Sequence, residues 1–270
     1  MTKDVDDEVT LSLARLTNGP GHQSAKVDLG AQWIIQFAWQ PRVGEYDDLD
    51  LRGLPITQLP EGLHVRGSFD LRDTQIRQLA AGIRVGVDLD LRGTPIAQMS
   101  EGLYVGRDLY LIGTPIAQLP KDLHVGRNIY LSNTPIAQLP ERMHFGNSIY
   151  LDGTQIAQLP EGLHVPGSLD LRKTPIAQLP EKLCVDGNFH LNGTPITQLP
   201  KGLHVGRDFD LRGTPIVQLP EDLHVGRDLY METLTHIPEG MSKGVYVGGR
   251  LYIRGWNGMM FEFVYQTATN

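Results

Sequence analysis

Residues 109–128 read LYLIGTPIAQLPKDLHVGRN, and residues 49–228 are nine copies of this 20-residue phrase with no insertion or deletion. Self-similarity at a fixed short period marks a solenoid, because one such unit is too small to bury its own apolar edge and must stack on its neighbours. Numbered from its first Leu, the unit places apolar residues at 1, 3, 8, 11, 15 and 17. In the copy quoted these are Leu109, Leu111, Ile116, Leu119, Leu123 and Val125. Alternation at 1 and 3, and again at 15 and 17, predicts two short strands per coil. Fourteen of the 18 prolines lie at places 7 and 12, which excludes long helices from the array, since proline lacks the N–H that a helix needs.

Three further columns carry structural expectations. Place 5 is Gly in six copies, with Asp73, Asn133 and Lys173 in the others, so a left-handed corner is expected there and Lys173 is its misfit. Place 6 is Thr in eight copies, and a hydroxyl column is expected to bond the backbone of neighbouring coils. Place 10 is Gln in all nine, from Gln58 to Gln218, and an amide ladder from coil to coil is expected.

The pattern LxLxxTxIxxLPxxL, carried in the fifth copy by Leu131, Thr134, Ile136, Leu139, Pro140 and Met143, resembles the leucine-rich repeat family. Thr stands where that family normally has Asn, and the LHVGRD run departs from its usual spacing. The short LP-containing unit most resembles the repeats of bacterial effector proteins, some of which precede a ubiquitin-ligase domain. The resemblance implies a β-rich solenoid: a leucine-rich-repeat superhelix with a parallel concave sheet built from the first strands, about nine regular coils and irregular terminal caps.

The flanks are read as caps rather than domains, giving an N-terminal segment at 1–48, the repeats at 49–228 and a C-terminal cap at 229–270. Residues 4–16 are expected to form a short helix, and the apolar WIIQFAW at 33–39 to cover the first coil. Residues 229–241 look like a tenth copy lacking two residues, LYIRG at 251–255 starts an eleventh strand, and MMFEFVY at 259–265 is expected to close the end.

Composition narrows the function classes. The net charge of −7 argues against a general binder of nucleic acids or anionic membranes. A single cysteine, Cys184, excludes an internal disulfide framework and a cysteine-rich zinc site. The acidic start MTKDVDDEVT has no apolar run, and no stretch approaches the ~18 apolar residues of a membrane span, so the expected location is the cytoplasm. Delivery into a host cell without a cleavable signal is the alternative that the resemblance suggests.

Core places hardly vary, whereas places 2 and 4 of the first strand, which the resemblance puts on the concave face, change along the stack. Coils one to three carry Asp50, Asp70 and Asp90 beside Arg52, Arg72 and Arg92, an arrangement open to lateral and diagonal ion pairing. Coils four to six carry Tyr110, Tyr130 and Tyr150 with Ile112, Ser132 and Asp152, bordered by Arg92 and Arg172. Tyrosine is enriched where proteins bind proteins, so these eight residues are the candidate partner-binding site; cross-strand stacking is the competing reading. Place 16 forms a second column with His64, His124, His144, His164, Cys184, His204 and His224. It is expected to face solvent on the opposite side, with His124, His144 and His164 about 5 Å apart at strand spacing. No acidic ligand is seen at a matching place, so no metal is assigned. No nucleophile–base grouping or phosphate loop stands out. The sequence therefore points to a monomeric, non-enzymatic module without cofactor, contacting an unidentified protein partner, and not a nucleic acid or membrane. A structural or self-associating solenoid is the remaining alternative.

Overall fold

The computed structural model describes residues 25–26, 47–232, 244–254 and 260–264. The expected helix at 4–16 and the expected cap at 33–39 lie outside the described residues. The chain forms a parallel β-solenoid of about ten turns with 20-residue spacing, and no helix occurs among the described residues. Each coil contributes a two-residue strand at places 1 and 2, such as Leu109–Tyr110, and another at places 16 and 17, such as His124–Val125.

The first strands form one long sheet in which every coil pairs with the next at the same place, as in Leu109↔Ile129 and Tyr110↔Tyr130. Leu111 donates its N–H to the Tyr130 carbonyl of the next coil, whereas Gly126 donates to Val125's counterpart one coil back, the Val105 carbonyl at 2.8 Å. Between the two walls, places 1, 3, 8, 15 and 17 meet in one continuous core; Leu109, Leu111, Ile116 and Leu123 expose no surface. Both ends of the long sheet are covered. Ala25–Lys26 pairs in parallel with Leu49–Asp50, and Met260–Val264 closes the far end antiparallel to Arg250–Arg254, as the apolar MMFEFVY run led us to expect.

The left-handed corner at place 5 is present in all nine coils, including Lys173 at φ 56°. A second such corner at place 14, among them Gly62, Gly102, Lys182 and Asp222, was not anticipated. The Thr column is buried, but each hydroxyl donates within its own coil, as Thr114 Oγ1 does to the Leu111 carbonyl at 2.7 Å. The hydroxyl reaches back to place 3 because the tight corner folds that carbonyl beneath it, so it does not bridge coils. The Gln column is exposed at all nine positions, and no amide-to-amide bond joins its members among the described residues. With solvent available, the amides have no need of one another.

The polar ladder lies instead at place 20. The Asn128 N–H donates to Asp108 Oδ1 at 3.0 Å, Ser148 N–H to Asn128 Oδ1 at 3.1 Å, and Ser168 N–H to Ser148 Oγ at 2.9 Å. Asp108, Asn128 and Ser148 are buried, so each side chain satisfies a backbone donor that water cannot reach.

The tenth coil is longer, not shorter, than the others. Tyr246 pairs with His224 and Leu251 with Leu229, an offset of 22 residues. Gly244, two residues before Tyr246, takes the second corner with a φ of 80°.

Candidate functional site

The long sheet fixes the candidate strip by register. Tyr110, Tyr130 and Tyr150 are successive partners, and their half-buried rings stack with centroids 4.6 and 4.8 Å apart, tilted by 3° and 1°. Strand spacing alone dictates this separation once identical rings share a place. The Tyr110 hydroxyl donates to Asp108 at 3.4 Å. Burial, reinforced by the Asp108 charge, pushes its pKa up to about 12, and burial raises Tyr130 as well. The Tyr110 and Tyr130 hydroxyls therefore stay protonated at neutral pH.

Both borders are pinned cations. The Arg92 guanidinium sits 5.2 Å from the Tyr110 ring centroid, within cation–π range, while its Nε and Nη2 hold Asp90 at 2.9 and 2.5 Å. Arg172 grips Asp170, a carboxylate 2% exposed, with an Nη2–Oδ2 distance of 2.6 Å. Ile112, Ser132 and Asp152 lie half-buried at place 4 of the same coils, and the Ser132 hydroxyl donates to Asp152. The eight residues selected from the sequence thus form one contiguous strip.

Below it, the Asp and Arg columns pair laterally and diagonally as anticipated. Arg52 chelates Asp50 and reaches Asp70 at 3.2 Å; Arg72 chelates Asp70 and reaches Asp90 at 3.4 Å. A second, smaller aromatic group repeats the design near the far end. Tyr230 stacks on Tyr252 at 4.8 Å, with the Arg212 guanidinium 5.4 Å from the Tyr230 centroid. Both tyrosines are successive members of the place-2 column, as the sequence places them, and they pair across an offset of 22 residues.

The opposite wall is not continuous. Its strands form two five-stranded sheets, one ending at His144–Phe145 and the other beginning at His164–Val165. His144 and His164 therefore are not strand partners, contrary to the uniform column that the repeat suggested. At the seam, Pro166 occupies a place where Gly146 donates its N–H to the Val125 carbonyl. The turn also changes there from Gly-X (Gly146, Asn147) to X-Gly (Pro166, Gly167). The reverse change, from Arg66-Gly67 to Gly86-Val87 and from Asp186-Gly187 to Gly206-Arg207, leaves the strands paired; at the seam the turn change coincides with a proline that has no N–H to give. A cleft of about 500 Å³ opens at the seam, lined among others by Pro140, Met143, Phe145, Pro160 and Pro166.

On the far side of the seam, His164, Cys184 and Asp186 converge, with one ligand atom from each all within 4.8 Å of one another. His164 Nε2 lies 2.9 Å from Asp186 Oδ2, and the Cys184 thiol donates to Asp186 Oδ1 at 3.5 Å. An acidic group thus does stand beside the column, against the expectation from sequence. Residues 184 and 186 alternate across buried Val185, so their side chains emerge on one face. The signal was present: place 18 is Gly in six copies, and Asp186 is its only acid. The hydrogen bond from His164 holds the Asp186 carboxyl below the usual carboxylate range, while burial, with Asp186 nearby, pushes the Cys184 thiol up.

No helix among the described residues is long and apolar enough to cross a membrane. No family model matches the chain, and a search of curated proteins finds none that matches it.

Proposed function

We propose that this chain is a non-enzymatic protein-binding module of the leucine-rich-repeat kind, receiving a protein partner on the strip centred on Tyr110, Tyr130 and Tyr150. The observation that carries this reading is the strip itself. The core places repeat almost unchanged, yet here three consecutive coils exchange an ion-pair ladder for half-buried aromatic rings bordered by pinned arginines. Side chains already locked by stacking and chelation lose little freedom on association, which favours binding by a rigid solenoid. Protonated hydroxyls and ring edges suit an amphipathic protein surface, and Asp152 beside Arg172 supplies charge register.

A structural solenoid without a ligand is the second reading, favoured by the near-perfect ring stacking, since a ladder stabilises its own sheet whether or not anything docks. Affinity capture from producer and candidate host lysates separates the two. Wild-type protein is run beside Tyr110→Ala/Tyr130→Ala/Tyr150→Ala, with circular dichroism confirming that both are folded. A protein retained by wild type and lost by the variant supports recognition, whereas equal or empty captures favour the structural reading.

A further inference from the structure

We propose that His164, Cys184 and Asp186 bind a single divalent transition-metal ion, zinc being the fitting class, on the wall opposite the tyrosine strip. One nitrogen, one sulfur and one oxygen donor make a set of intermediate softness, suited to zinc and poorly matched to magnesium or calcium, which prefer oxygen alone. Tetrahedral bonds of about 2.0–2.3 Å place ligand atoms roughly 3.3–3.7 Å apart. The 2.9 Å contact from His164 to Asp186 Oδ2 is shorter than that edge and the 3.5 Å contact from Cys184 to Asp186 Oδ1 falls within it, on the two oxygens of one carboxylate; with one ligand atom from each residue the set fits within 4.8 Å. Small side-chain rotations of half-exposed groups close the remainder.

Three departures from the repeat coincide at this point. Cys184 is the chain's only cysteine, Asp186 is the only acid at place 18, and Pro166 stands at the seam between His164 and the histidines below. Elsewhere the column is committed to ring stacking: His124 on Tyr104 at 4.8 Å, and His204 on His224 at 4.7 Å. His164, at the edge of its sheet, turns to Asp186 instead. Duplication of a surface histidine explains the column, but not these three changes in adjacent coils.

His204 pairs in register with Cys184, yet its stack on His224 leaves the fourth coordination position to water. Loading releases the Cys184 thiol proton to solvent and moves the imidazole proton to Nδ1, so that Sγ and the Nε2 lone pair both face the ion. Asp186 binds as its carboxylate, and the metal itself supplies the charge that deprotonates the thiol.

The test is titration of the untagged full chain with cobalt(II), followed by displacement with zinc(II). The expected result is one ion per chain with a thiolate-to-cobalt charge-transfer band in the near ultraviolet. Cys184→Ser removes the band, and Cys184→Ser and Asp186→Asn each weaken affinity at least about tenfold. His124→Gln/His144→Gln leaves both band and affinity unchanged. Since Asp186 is exposed, Asp186→Asn reports even if Cys184→Ser folds poorly. Absence of binding at micromolar metal, binding without the band, unchanged affinity in Asp186→Asn, or loss of binding in the His124/His144 variant overturns the site.

Discussion

Pro166 stands where the ladder requires an N–H for the carbonyl of Phe145, and its ring nitrogen has none to give. One coil earlier, Gly146 donates to the Val125 carbonyl at 3.1 Å, and one coil later Asp186 donates to Val165 at 2.9 Å. The missing donor coincides with the division of this wall, at which the His164 N–H also lacks the bond that His144 makes to Leu123 and Cys184 to Leu163, and the seam carries both the cleft and the sheet edge at His164.

Pro166→Ala restores the donor in a turn that already accepts a side chain at this place, as Asp186 shows. The two outer sheets are expected to join, slowing amide exchange at His164 by at least about tenfold. The net stability change stays under about 1 kcal/mol, because the new hydrogen bond is offset by greater freedom of the unfolded chain. Unchanged exchange at His164 would show that something other than the proline holds the seam open.

Asn128→Ala removes one rung of the place-20 ladder and leaves the buried Ser148 N–H without its 3.1 Å partner. A loss of about 1–3 kcal/mol in urea unfolding is expected. Gln138→Ala, on the exposed column, is expected to change stability by less than about 0.5 kcal/mol. Equal effects would place the coil-to-coil polar contacts elsewhere.

Lys173 and Lys182 hold φ of 56° and 59°, where a Cβ is penalised and the matching coils mostly use Gly. Lys173→Gly and Lys182→Gly are each expected to stabilise by roughly 0.5–1 kcal/mol, the relief of strain exceeding the added entropy of the unfolded chain. A lower thermal midpoint for either contradicts this.

Asp210 is 6% exposed; burial raises its pKa, but hydrogen bonds from Arg212 and Asn192 and the Arg212 charge outweigh burial and bring the net value below the usual one. A carboxylate depressed in the folded state contributes stability that is fully present above its unfolded pKa of about 3.9 and is lost as pH falls through the lower folded value. Arg212→Met removes the opposing charge, so acid unfolding followed by circular dichroism should begin at higher pH than in wild type. An unmoved acid limb would mean that the pair contributes nothing to the pH dependence.

The fold was legible because its signals are local and repeated: a 20-residue period, alternating apolar places and a Gly, Asn or Asp corner that tolerates positive φ. The columns of Thr and Gln were equally visible but misread. Which neighbour a hydroxyl or amide reaches depends on the path of the corner in space, and Thr114 finds Leu111 in its own coil. The place-20 ladder of Asp, Asn and Ser was hidden by its mixed composition, although all three share an acceptor oxygen. The tyrosine strip followed directly from register. The His164, Cys184 and Asp186 group did not, because it depends on exceptions to the repeat: a proline at a sheet edge and an acid where glycine is the rule.

The central claim is that the tyrosine strip recognises a partner and does not merely brace its sheet. Its most direct test sets partner retention against thermal midpoint for Tyr130→Ala, the ring stacked on both sides. Loss of two aromatic contacts is expected to cost about 1–3 kcal/mol, a modest fall in midpoint for so long a core. Retention by the still-folded variant should drop at least about tenfold. A variant that melts earlier yet retains every captured protein as wild type does would contradict recognition and leave the stack a purely structural ladder.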